Sequence, residues 1–353
     1  MKRGGTAAFA ITAIVFMLAG ITLAVFCGWS AGMDEGIDAL VGVIVSFVVA
    51  PVLHEVGHVG AAACGKMECV QVKCFCFRYI RENNKGRITL VSPFADDQTQ
   101  VIPKTGGNML ARAKAYTLGG LLLEGAFTVI VAGAAITLAC LHINSFTLWG
   151  LLPYLAYLFL INAMPLEYPS GKTDMLAYIG LKKGYPTEKN MLAAMEIQGE
   201  LYEGKSFSEI DERLYFNAPQ LCEDEPLYAV MLDLKYRYFL EKGDMEKSAD
   251  CLNRLARNQE YLSDREVEKV AAELTYMHSL NGDHERAKDC SKLCEDYLKT
   301  DAATAKRALA AYCKAFGKEE AVELLIEQAE VLLQKERVKG LVKAERILLS
   351  RLA

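Results

Sequence analysis

The chain has no excess of positive charge. Its 39 Lys and Arg stand against 44 Asp and Glu, a net charge of -5. That removes any global reason to expect nucleic acid as a partner. It also lacks a cysteine framework, since its 11 cysteines are odd in number and irregularly spaced. Cys222, Cys251, Cys290, Cys294 and Cys313 read as small core residues of a reduced compartment rather than disulfide partners. Cys69, Cys74 and Cys76 lie closer together, but their spacing matches neither a zinc ribbon nor a finger, which leaves them a structural role before a metal-binding one. No small-x-small cleavage site follows the N-terminal apolar run 7–27, and the run is too long for a signal-peptide core, so it reads as a retained first span. Phe26 before Cys27 argues against a lipoprotein signal. "PSGKTD" lacks the glycine a phosphate loop requires, because Leu166 stands five residues before Gly171.

What is present is unevenly spread. Hydrophobic residues make up 52% of the chain. They dominate residues 1–165, whereas 181–353 is rich in Glu, Lys, Arg and Asp. Four segments are long and apolar enough to cross a bilayer, about 7–27, 38–63, 116–141 and 147–165. The loop 64–115 carries nine basic residues, from Lys66 to Lys114, while the short loops 28–37 and 142–146 carry none. The positive-inside rule then places that loop and both termini in the cytoplasm. Within the loop, "CVQVKCFCFRYI" and "GRITLVS" are β-rich runs around "RENNKG", which predicts a hairpin against the membrane.

The later part reads as soluble and helical, with an internal echo. "GDMEKSADC" at 243–251 returns as "GDHERAKDC" at 282–290, and a looser "GKEEAVELL" starts at Gly317. Helix, Gly-Asp turn and helix at a period of 39 and then 35 residues resembles tetratricopeptide repeats without their full signature; an irregular helical bundle is the alternative.

Inside the second apolar segment stands "HEVGH", residues 54–58. On a helix His54 and His58 share a face, so both imidazoles can reach one ion. Zinc takes two such nitrogens, a third protein ligand and an open position. Glu55 beside the first ligand can take a proton from an attacking water. Ionisable groups near mid-membrane cost at least ~2.5 kcal/mol each and usually serve a site, which sets this motif apart from a chance HExxH. Gly57, Gly60 and Ala61 to Ala63 thin the helix so that other segments can approach. The third ligand must come from elsewhere. "NAMPLEYPSGKTD" begins at Asn162, at the cytoplasmic end of the fourth segment, and Asp174 follows on the same side as His54. Taken alone, Asp174 would be a helix cap.

"HEVGH" together with "NAMPLEYPSGKTD" resembles the site-2 proteases, intramembrane zinc metalloproteases, over roughly residues 38–180. The resemblance implies His54, His58 and Asp174 as zinc ligands and Glu55 as catalytic base. It also implies Asn162, with Pro165, as a contact for the substrate strand or transition state, and the β-rich segment 64–92 as a membrane-associated sheet to which an unwound substrate adds. Two features depart from the family. Its aspartate stands a few residues after the proline and precedes glycine, whereas Asp174 is nine beyond Pro165 and precedes Met175, which leaves Glu167 as the alternative ligand. The third segment reads "LGGLLLEGAF", where Glu124 takes the place of an asparagine; an intramembrane acid is a functional candidate, or a carboxyl bonded to a neighbouring helix.

The expected fold is mainly α: a polytopic membrane domain at 1–182 with about four spans and a small β hairpin, then a soluble helical-repeat domain at 190–353. The expected protein is a multi-pass component of a bacterial cell membrane that cleaves membrane proteins or peptides. Its tail would meet a cytosolic partner. The rival is a non-catalytic membrane scaffold that binds partners through residues 190–353.

Overall fold

The computed structural model describes residues 4–82, 85–92, 98–143, 145–168, 171–258 and 262–352. The expected turn at Asn83-Asn84, the basic pair Lys2-Arg3 and Pro169-Ser170 lie outside them. The described residues are mainly helical and fall into two compact units, residues 1–102 with 108–185, and 103–107 with 186–353. The second unit therefore includes a five-residue piece from far upstream, Pro103–Gly107.

The first unit opens with α1 (Gly4–Ser30) and α2 (Met33–Cys64). Strands β1 (Met67–Cys74), β2 (Phe77–Glu82), β3 (Lys85–Leu90) and β4 (Gln98–Pro103) follow. Then come α3 (Met109–Cys140), α4 (Phe146–Ala163), a two-residue ladder β5 (Glu167–Tyr168) with β6 (Gly171–Lys172), and α5 (Asp174–Lys183). Among the described residues α2, α3 and α4 are long and apolar enough to cross a membrane; within α1 the apolar stretch Ile14–Ser30 is shorter. Large apolar side chains on these helices face outward, among them Val41, Ile44, Leu122, Val129, Ile130 and Leu160. The inward faces of α2 and α3 are rich in small and polar residues, a pattern of helices that pack in lipid. Glycines set the approach. A Cβ on Gly42 would lie 2.1 Å from the Thr147 carbonyl oxygen, and one on Gly57 2.3 Å from that of Gly119.

The sheet is larger than the expected hairpin. Its order is β3-β2-β1-β4. The run "CVQVKCFCFRYI" is not one strand: it folds back at Phe75-Cys76, pairing Cys74 with Phe77 and Gln71 with Ile80. Phe75 takes the left-handed conformation at φ 50°, which a tight two-residue turn demands and which residue composition did not reveal. β2 and β3 pair antiparallel from Phe77 opposite Leu90 to Glu82 opposite Lys85. β4, drawn from a stretch with no strong strand signal, completes the sheet beside β1.

In the second unit α6 (Pro186–Glu203), α7 (Arg213–Phe216), α8 (Pro226–Lys242), α9 (Met245–Arg257), α10 (Asp264–Leu280), α11 (His284–Leu293), α12 (Glu295–Leu298), α13 (Ala303–Ala315), α14 (Glu319–Leu333) and α15 (Lys339–Ser350) follow in order. Three helical hairpins turn at the echoed glycines, Gly243 at φ 82°, Gly282 at φ 72° and Gly317 at φ 70°, left-handed positions that end a helix without strain. Asp244 and Asp283 then cap α9 and α11 by accepting from the Lys247 and Arg286 amides, which explains the repeated Gly-Asp. One hydrophobic core draws on α8, α9, α10, α12, α13, α14 and α15 and includes Tyr276, Leu252, Ala305 and Ala329. Cys251, Cys294 and Cys313 are in it, as expected of small core residues, but Cys290 is half-buried outside it and Cys222 is exposed. All eleven cysteines are free.

Candidate metal centre

Helical spacing brings His54 and His58 to the same face of α2, where their Nε2 atoms lie 3.2 Å apart. Asp174, the first residue of α5, places Oδ2 3.1 Å from His54 Nε2 and 3.3 Å from His58 Nε2. The three atoms form a nearly equilateral triangle. Edges of that length are what three ligands of one tetrahedral ion show when each stands ~2.0–2.2 Å from it.

The hydrogen bonds decide what the triangle is made of. His58 Nδ1 lies 2.8 Å from the Tyr116 carbonyl oxygen, which can only accept, so Nδ1 carries the proton. His54 Nδ1 lies 2.9 Å from Glu124 Oε2, to which it donates when that carboxyl is ionised. In the neutral imidazoles both Nε2 atoms then turn lone pairs toward Asp174 Oδ2, and no donor other than these two rings reaches that oxygen among the described residues. Three such atoms within ligand distance of one another could hold a metal ion, and the donor set N, N, O suits zinc. The carboxylate and carbonyl behind the imidazoles are the usual second layer of such a site.

Local structure explains how Asp174 arrives. The β5–β6 ladder absorbs the extra residues after Pro165, pairing Glu167 with Lys172. Thr173 closes its base, donating its hydroxyl to the Met164 carbonyl at 2.7 Å and its amide to that of Leu166 at 3.0 Å. The long spacing is thus a small hairpin bulging from the loop. Glu167 is exposed in that hairpin and outside the cluster. α2 and α3 are held in register at the same end by Arg112 Nε, which donates to the Gly65 carbonyl at 2.7 Å. Glycine makes the room, since a Cβ on Gly120 would lie 2.6 Å from His58 Nε2 and 2.9 Å from His54 Nε2.

Glu55 is buried beside the triangle and accepts a hydrogen bond at Oε2 from the Thr99 hydroxyl of β4. The Tyr116 hydroxyl donates to the Thr99 carbonyl at 2.6 Å. Glu124 is fully buried, and the helix it bonds is α2, through His54. Asn162 is half-buried and donates to the Leu158 carbonyl of its own helix, and Pro165 is exposed in the loop after α4; neither belongs to the cluster. Thr99 and Tyr116 carried no sequence signal, and neither belongs to a recognisable motif. The paired glycines at 119–120 were the one visible hint that a helix face was being cleared. Cys69, Cys74 and Cys76 are half-buried in the sheet and form no metal-type cluster with other described residues. No protein family, curated protein or solved structure matches this chain.

Proposed function

We propose that the protein is an intramembrane zinc endopeptidase of the site-2 protease type, hydrolysing membrane-spanning or membrane-associated peptides. One observation carries the reading: two imidazole nitrogens and a carboxylate oxygen meet at ligand spacing inside an apolar bundle, with a second carboxylate, Glu55, buried next to them. His54, His58 and Asp174 would hold the ion. Zinc, when bound, supplies Lewis acidity toward a carbonyl and eases ionisation of water. Glu55 takes the proton from the attacking water and passes it to the departing amine, so that the peptide bond is replaced by a carboxylate and an amine. Glu124 and the Tyr116 carbonyl hold the two imidazoles in the tautomer this needs.

In this reading α1 is a fourth span, and both termini and the basic loop 64–115 face the cytoplasm. The three hairpins turning at Gly243, Gly282 and Gly317 form a tetratricopeptide-like array that engages a cytosolic partner.

The test is zinc content together with trapping. Purified full-length protein is expected to hold one zinc, lost in Asp174→Ala and kept in Glu167→Ala. Glu55→Gln is expected to keep zinc and to accumulate an uncleaved membrane partner on crosslinking. Full zinc in Asp174→Ala with loss in Glu167→Ala would reassign the third ligand, and a zinc-free wild type would leave the scaffold reading.

A further inference from the structure

Strand β4 reaches the candidate base from one unit and ends in the other. At its near end the Thr99 hydroxyl donates to Glu55, and the Thr99 carbonyl is held by the Tyr116 hydroxyl at 2.6 Å. Tyr116 in turn holds His58 through its own carbonyl, so the four residues close a ring around the site. Four residues later, Pro103 begins the segment that belongs to the second unit. There the Gly107 amide donates to Glu196 Oε1 at 2.5 Å and the Gly106 amide to Glu203 Oε1 at 3.2 Å. Gly199 fits between, since a Cβ on it would stand 2.5 Å from the Thr105 carbonyl oxygen. Glu196, Gly199 and Glu203 lie on one face of α6 at i, i+3, i+7. The span from Thr99 to Pro103 is extended strand, about 13 Å at strand rise.

We propose that residues 98–107 are a strap through which the helical domain governs the orientation of Glu55, with Thr99 as the positioning residue. This rests on reading Glu55 as the base. Thr99 holds one carboxylate oxygen and thereby the direction of the other. α6 holds the far end, so a partner that shifts α6 acts on the base along the backbone. Coupling of this kind is reciprocal: loosening either end loosens the other.

Amide hydrogen exchange on the full-length protein in detergent, followed by cleavage of fluorescently labelled casein with zinc present, tests it. Glu196→Ala/Glu203→Ala is expected to speed exchange at residues 99–102 about tenfold while α8–α15 stay protected. Thr99→Val is expected to speed exchange at 105–107, and Thr99→Ser, which keeps the hydroxyl, to leave it as in the wild type. The Thr99 pair probes the coupling from the opposite end should the double variant lose its fold. Misplacing a catalytic group by a fraction of an ångström costs on the order of tenfold or more in turnover. Casein turnover should therefore fall about tenfold in Thr99→Val with KM unchanged, and recover in Thr99→Ser. Unchanged exchange at 99–102 in the folded double variant, or at 105–107 in Thr99→Val, overturns the strap. Equal turnover in Thr99→Val and wild type overturns the positioning role. Exchange coupling in a protein whose wild type leaves casein intact would support the strap and count instead against the protease reading.

Discussion

Both units bury polar side chains, but with opposite chemistry. In the helical unit Arg307, fully buried, donates through Nε to Glu345 Oε2 at 2.7 Å and through a terminal nitrogen to Glu273 Oε1 at 2.7 Å. Its guanidinium lies 4.2 Å from the centre of the Tyr276 ring, and the Tyr236 hydroxyl donates to Glu273. Donors there meet acceptors and charges of opposite sign meet each other. In the first unit His54, His58 and Asp174 bring two ring nitrogens and a carboxylate oxygen within 3.3 Å of one another. Burial of polar groups therefore does not by itself mark a site. An ion-paired network ties α10, α13 and α15 together, whereas two imidazole nitrogens and a carboxylate oxygen brought together could hold a metal ion.

The sharpest way to break the comparison is at Glu55. Glu55→Gln should retain zinc and fold yet lose ~10²–10⁴-fold in cleavage, because glutamine cannot take the proton; an active variant would remove Glu55 from the mechanism. The matching cut in the helical unit is Arg307→Ala. It leaves two buried carboxylates without their partner and should cost about 3–5 kcal/mol, seen as early proteolysis between Asp264 and Ser350 with zinc content unchanged. Glu124→Gln is expected to weaken zinc binding about 10–100-fold without unfolding the bundle, the usual effect of losing a group behind a ligand histidine; unchanged affinity would return Glu124 to a purely structural role.

Acid should also separate the units. Burial pushes the Glu273 carboxyl up, but Arg307 outweighs it and holds the carboxyl below its ordinary value. A carboxyl depressed in the folded state contributes stability above its unfolded pKa of about 4.3 and loses it as pH falls through the lower, folded value. Proteolysis of the helical unit should therefore stay slow down to about pH 4 and rise below it, and Arg307→Met should flatten that dependence. The smallest effect concerns turns. Gly243→Ala, at φ 82°, should destabilise its hairpin by about 1–2 kcal/mol, whereas Gly60→Ala, in helical conformation with open space around it, should be neutral or stabilising.

Much of the fold was legible because its signals are local. Apolar runs marked the long helices. Gly-Asp pairs marked the hairpin turns, since a left-handed residue and a cap must be adjacent in the chain. Two histidines four apart marked one face of α2. The sheet was half-legible: the alternating runs showed strand, but the turn at Phe75 and the recruitment of β4 depend on packing that no short window contains.

The sequence by itself determined the segregation of an apolar half from a charged half, the helical character of both, and the identity of His54, Glu55 and His58 as a group, because each follows from composition or periodicity within a few residues. Only the tertiary structure decided that Asp174 rather than Glu167 completes the triangle, that Glu124 stands behind His54, and that Thr99 touches Glu55. Those contacts join residues 44 to 120 positions apart, and their distances are set by how closely Gly57, Gly119 and Gly120 let two helices approach and by how a two-residue ladder folds a loop back on itself.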